Sequence, residues 1–279
     1  MTDWPATVVE RKMTPRGEIQ LHRRGDEYEI VENGVFIMAT WNRTSERAMV
    51  TMALGRRSVG RGSVGRGRDR SSGRESRGDG WPELRVLVAG LGVGYSLRAA
   101  LDDPRVGSVD VVEIDENVVA WNRGPLAAYN GAALDDPRVR LHLADFIDWV
   151  AEPVDGGAAG DRGSAVDGDR GSAVDGGAAY DLIVMDIDNG PDWLVFDANR
   201  RLYEAPALAA VAARTRPGGL VVVWSATRSE PLRERLRSQI GPVTTRVLRE
   251  EGEPARRLPP THVYIARKGA VRAEATVRR

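Results

Sequence analysis

The chain has 279 residues, 42% of them hydrophobic, enough for one large α/β domain and a small appendage. Its 40 basic and 40 acidic residues cancel to zero formal charge, and no apolar run reaches the ~18 residues of a membrane span. Cysteine is absent and the three histidines (His22, His142, His262) are far apart, which excludes disulfides and thiol chemistry and leaves no metal site expected.

The opening residues, Met-Thr-Asp-Trp-Pro, lack the basic-then-apolar pattern of a secretory leader, so a cytoplasmic protein without a membrane partner is expected. Alternating apolar and polar residues predict strands over 18–22, 28–31 and 35–38. Asn33-Gly34 marks a two-residue hairpin between the last two. Ser45 reads as the N-cap of a short helix to Leu54. Residues 1–55 thus form a small N-terminal β-unit.

Residues 56–80 carry eight arginines among glycines and serines, with Ser-Val-Gly-Arg-Gly repeated at 58–62 and 63–67. Such a stretch buries too little apolar surface to offset its ordering entropy and is expected to be a disordered linker. Without an aromatic residue before Trp81, a solvated linker outweighs an RNA-binding tract, and nucleic acid is not an expected partner.

From residue 81 to 279 strands and helices alternate, as in a mostly parallel, doubly wound sheet. Val86–Ala89 is a buried strand that runs into Gly90, Gly92 and Gly94 and then a helix. A second strand ends in Glu113-Ile114-Asp115, and a helix is expected over Asn117–Tyr129. A third strand ends at Asp145, followed by a short helix over Phe146–Val150. Residues 155–179 hold a tandem repeat of Asp-Arg-Gly-Ser-Ala-Val-Asp-Gly, read as a low-complexity insert. A fourth strand, Tyr180–Met185, ends in Asp186. A helix over Arg201–Thr215 stops at Pro217-Gly218-Gly219, before a fifth strand over Leu220–Trp224. A last helix spans Pro231–Ile240, and two strands close the chain at 244–249 and 262–266.

Ligands of such sheets bind beyond the carboxyl ends of the strands. The glycine spacing is G-x-G-x-G with Tyr95 next, which departs from the dinucleotide pattern and favours an adenosyl-sulfonium ligand. Glu113 lies some twenty residues on, where an acid accepts both ribose hydroxyls. Asp145 can accept from an adenine amino group, and Asp186 would face the reacting end. Asp186, Asp188 and Asp192 cluster around Asn189-Gly190-Pro191 and suit a cationic amine, one carboxylate holding it and another taking a proton. Asp188 also fits a simple turn before Pro191.

These residues together resemble the spermidine synthase (aminopropyltransferase) family: Gly90-Leu-Gly92-Val-Gly94, Val112-Glu113-Ile114-Asp115, Ala144-Asp145-Phe146, Tyr180–Asp186 and Gly190-Pro191. The resemblance implies a Rossmann-like class I methyltransferase fold, with a seven-stranded, mostly parallel sheet and a small N-terminal β-unit. It implies transfer of an aminopropyl group from decarboxylated S-adenosylmethionine to a small-molecule amine, and it allows a homodimer. By that likeness Gly90, Gly92, Gly94, Glu113, Asp115 and Asp145 would bind the adenosyl ligand, Asp186 would be catalytic, and Glu46, Asp188 and Asp192 would contact the amine. Val93 stands where the family has an aspartate, and Thr44-Ser45-Glu46 retains only the glutamate of its Tyr-His-Glu. Methyl transfer from intact S-adenosylmethionine and a non-catalytic binding role therefore stay open. A nicotinamide oxidoreductase ranks last because of Tyr95.

Overall fold

The structure is a computed structural model describing residues 5–58, 83–152, 180–249 and 259–269. Four antiparallel strands open the chain: β1 (Thr7–Thr14), β2 (Gly17–Arg24), β3 (Glu27–Glu32) and β4 (Val35–Ala39), paired in sequence order. The expected hairpin at Asn33-Gly34 has positive φ at both residues (50° and 77°), the requirement of a type I′ turn. Strand β1 had no counterpart among the expected strands. It is an edge strand exposed on both faces, so Glu10-Arg11-Lys12 interrupts any alternation.

Helix α1 (Thr44–Ser58) follows. Ser45 is not its N-cap but lies inside its first turn, buried, and donates to Glu46 Oε2 at 3.0 Å. The expected linker at 56–80 falls outside the described residues, apart from the end of this helix, and so does the whole insert at 155–179.

The second sheet contains β5 (Leu84–Ala89), β6 (Val106–Glu113), β7 (Val139–Leu143), β8 (Tyr180–Met185), β9 (Thr215–Ser225), β10 (Val243–Leu248) and β11 (Thr261–Arg267). Their order is β10-β11-β9-β8-β5-β6-β7. Strands β5 to β9 pair in parallel, and β11 is antiparallel to both its neighbours. The apolar strands are buried on both faces, as unbroken Val/Leu/Ile runs require. Val86 and Val88 join the packing on one side while Leu87 and Ala89 join the other. Leu182 and Val184 against Ile183 and Met185 do the same in β8.

Helices α2 (Tyr95–Leu101) and α3 (Glu116–Arg123) cover the first side. Helices α5 (Phe146–Ala151), α6 (Ala205–Arg214) and α7 (Glu230–Gln239) cover the second. The helix expected over Asn117–Tyr129 is broken, with α4 (Ala127–Asn130) separate, because Gly124-Pro125 cannot continue it. A 3-10 turn (Asp197–Tyr203) replaces the start of the helix expected at Arg201, and α6 begins beside Pro206. Strand β9 starts at Thr215 and absorbs Pro217-Gly218-Gly219, with a register shift against β8 and Gly218 at φ 76°.

The N-terminal sheet has no core of its own. Ile19, Leu21 and Ile30 pack in one cluster with Met49 of α1 and with Val86 and Val184 of the large sheet. Trp121 Nε1 donates to Glu10 Oε2 at 2.6 Å, and the Tyr95 hydroxyl donates to the Thr40 carbonyl. No helix among the described residues is long and apolar enough to cross a membrane.

Candidate active site

The carboxyl ends of β5 to β8 open onto a cavity of about 210 Å³. The N-terminal sheet closes it from the far side through Ile19, Ile30, Glu32 and Met38, and α1 adds Ser45 and Glu46. Seven carboxylates line it: Glu32, Glu46, Glu113, Asp115, Asp145, Asp186 and Asp188. Arg16 is the one basic side chain among the described lining residues. So many acids around one space create a potential suited to a cation. Among the described residues no His, Cys, Asp or Glu group stands in metal-holding geometry.

Glycine serves the first strand end through protein packing as well as access. At Gly90, φ is 88°, and a Cβ would lie 2.2 Å from the Asp186 carbonyl oxygen. A Cβ on Gly92 would meet Met38 Sδ, which accepts from Val93 N at 2.9 Å. Gly94 does not line the cavity; it abuts Asn122 and Asn130, which hold the loop carbonyls of Gly92 and Val93.

Glu113, at the end of β6, is buried and oriented by three backbone donors. Its Oε2 accepts from Leu91 N at 2.8 Å, and its Oε1 from Ile114 N at 2.8 Å and Asp115 N at 2.9 Å. Burial outweighs these donors and raises its pKa above the ordinary carboxylate value. Asp115 caps α3, accepting from Asn117 N at 2.8 Å. Asp145 caps α5, accepting from Ile147 N at 2.7 Å, with Arg201 Nη2 3.6 Å from its other oxygen. All three carboxylates line the cavity, with Ile114, Val118, Phe146 and Ile147 forming an apolar wall between them.

Asp186 follows β8. Burial pushes its pKa up to about 6, opposed by the Ser96 hydroxyl, which donates to Oδ2 at 3.1 Å. Asp188 is consumed by its own loop. Its Oδ1 accepts from Asn189 N at 2.6 Å and Val195 N at 2.9 Å, and its Oδ2 accepts from Asn199 Nδ2 at 2.6 Å. The turn reading of Asp188 therefore describes its contacts. Asp192 is exposed and outside the cavity lining. Burial holds the Tyr203 hydroxyl above its usual range, and the charges of Asp188 and Asp186 add to the shift.

Sequence reasoning missed the residues that the N-terminal sheet and α2 contribute. Ser96 opens the helix after the glycine turn, a position that faces the neighbouring strand end. Arg16 and Glu32 sit at hairpin turns, and no local pattern says that those turns reach a site in another sheet. Burial pushes the Glu32 pKa up to about 7, with Arg16 opposing it and Asp115, Glu113 and Asp188 adding to it. Four buried polar atoms without a partner among the described residues belong to the cavity wall: Arg16 Nε, Asn42 Oδ1, Trp224 Nε1 and Thr261 Oγ1. Unsatisfied polar atoms are rare in protein interiors.

No family model matches the chain. A polyamine aminopropyltransferase of Mycobacterium tuberculosis is 32% identical over 138 residues, which is 50% of this chain and 22% of that protein. Putrescine N-methyltransferase 2 of Nicotiana tabacum is 32% identical over 139 residues, 49% of this chain and 31% of that protein. The matched stretches thus span less than a third of those relatives' lengths. The fold agrees with that of spermidine synthase from Thermotoga maritima, with a TM-score of 0.63 and 14% identity, covering 94% of this chain and 73% of the other. A spermidine synthase solved with the transition-state analogue AdoDATO aligns equally well, covering 74% of that chain. Over half its length the chain is thus similar in sequence to a polyamine aminopropyltransferase and a putrescine N-methyltransferase, and over nearly all of it its fold is like that of spermidine synthase.

Proposed function

We propose that the chain is a transferase that moves the aminopropyl group of decarboxylated S-adenosylmethionine onto a small-molecule amine. The observation that carries this reading is the convergence of seven carboxylates on one cavity, four of them at or just beyond the ends of β6, β7 and β8. Both reactants are cations, and acids placed around them stabilise their approach. The residues fit the donor: Glu113, held by three backbone N–H groups, has one lone pair left, on Oε2, to accept from a ribose hydroxyl. Asp145 accepts from the adenine amino group, and Ile114, Phe146 and Ile147 pack on the ring. Asp115 reinforces the ribose end while capping α3.

When bound, the donor supplies an electrophilic carbon on a positively charged sulfur. The chain's task is to align an amine nitrogen behind that carbon and to remove a proton. The N–C bond forms as the C–S bond breaks, the sulfur keeps the electron pair, and Asp186 takes the proton from nitrogen. A carboxylate with a pKa near 6 is ionised at neutral pH and is a stronger base than an ordinary aspartate. Glu46, at the start of α1, gives the ammonium a second anionic contact. Asp188 acts by holding the loop after β8 in place.

Methyl transfer from intact S-adenosylmethionine is a second reading, supported by Arg16, the cation in the acidic wall. Incubation with each donor and an amine panel, followed by mass analysis, separates the two. A gain of one aminopropyl unit is expected. A methyl gain selects the second reading, and binding of donor without any product rejects both.

A further inference from the structure

Arg16 is unexplained by a site built for cations. Its turn is rigid: Arg16 N donates to Thr14 Oγ1 at 3.1 Å, and its carbonyl accepts from Asn33 Nδ2 at 3.2 Å. Asn33 also ties the two hairpins together through Glu18 N, at 2.9 Å. Gly17 permits that contact, since at φ 118° its Cβ would fall 2.0 Å from Asn33 Oδ1. The side chain then extends to the cavity wall, its guanidinium carbon 4.1 Å above the Phe196 ring centre. Stacking of this kind holds the guanidinium plane without using its donors.

Those donors are unspent. The guanidinium makes no hydrogen bond to a described residue, and Nε is buried without a hydrogen-bond partner. Glu32 Oε1 stands 3.9 Å away, an ion-pair distance but too long for a hydrogen bond. A fixed, unspent guanidinium beside a carboxylate is the complement of a group that carries both charges in reverse. Arginine is the side chain best shaped to hold a carboxylate by two parallel bonds.

We propose that Arg16 and Glu32 form a subsite for an aminocarboxylate, Arg16 taking the carboxylate and Glu32 the ammonium. One of the two reactants would then carry an α-amino acid group. This rests on the adenosyl reading of the cavity. The group can come from either reactant: the methionine end of an intact donor, or an acceptor that is itself an amino acid.

Two pairs of compounds differ only by that carboxylate: S-adenosylmethionine against its decarboxylated form, and ornithine against putrescine. Calorimetric titration of the full chain with all four, the amines in the presence of 5′-methylthioadenosine, tests the subsite. The carboxylate-bearing member of one pair should bind about tenfold tighter, and which pair does so identifies the source. Arg16→Met should cut that preference below threefold, and Arg16→Lys, which keeps the charge but not the paired donors, should lose at least threefold of it. No preference in either pair, or a preference that survives both substitutions, overturns the subsite alone. Failure of 5′-methylthioadenosine to bind the unaltered chain overturns the adenosyl reading and the subsite with it.

Discussion

At the scale of single residues, the site is governed by how burial and hydrogen bonds compete for each carboxylate. Asp186 loses water and gains one hydroxyl donor, so it stays a base with a pKa near 6. Turnover should therefore rise with pH through about 6 and level off above. Asp186→Asn should lower kcat by about a hundredfold and remove that ascending limb, as measured by steady-state rates between pH 5 and 8. Ser96 lowers the Asp186 pKa by donating to its ionised form. Ser96→Ala should shift the same limb to higher pH, which a role in folding alone would not do. The raised pKa of Glu32 bears on stability. Its folded pKa of about 7 exceeds its ordinary 4.5, so the folded chain holds a proton that the unfolded chain releases. Its protonated form favours folding fully below the unfolded value, and this contribution fades as pH rises towards 7. Glu32→Gln should flatten that slope in urea titrations at pH 4.5 and 7.5.

At the scale of elements, the glycine turn between β5 and α2 joins neighbouring parts of the protein. Gly90 leaves room for the Asp186 carbonyl, and Gly92 for Met38 of the N-terminal sheet. The turn thereby ties the catalytic candidate, the ribose candidate Glu113 (through Leu91 N) and the cavity roof to one loop. Gly90→Ala combines a positive φ with a 2.2 Å contact. It should cost about 1–3 kcal/mol or more in chemical denaturation, and should weaken binding of 5′-methylthioadenosine. The elements read correctly from sequence were those whose pattern is local. Alternation and Asn33-Gly34 gave β2 to β4, apolar runs gave β5, β6 and β8, and Pro231 marked α7. The elements misread were those whose cause is elsewhere. Strand β1 exists because β2 offers an edge, not because its own residues alternate. Ser45 lies inside the first turn of α1, which starts at Thr44, and lines the cavity.

At the scale of the whole molecule, the N-terminal sheet and the large sheet share one continuous core, so they should not unfold separately. Tryptophan fluorescence and far-UV circular dichroism should follow a single coincident transition. Met49→Ala, at a fully buried position between the two sheets, should shift both probes together by about 2–5 kcal/mol. Two resolved transitions would contradict the shared core.

The sequence by itself determined the sheet and the pocket's position. Apolar runs that end in Gly90, Glu113 and Asp186 point to a parallel sheet with polar groups at one end, because most positions along β5, β6 and β8 are buried. Only the tertiary structure decided what each polar group has left to offer. Asp188 spends its oxygens on its loop, Asp192 lies outside the cavity lining, and Gly94 packs against two asparagines. Arg16 and Glu32, silent in the sequence, enter the site because a second sheet closes over the first. Alternation along a strand says which face a residue takes, whereas the partner that face meets depends on packing between segments distant in the chain.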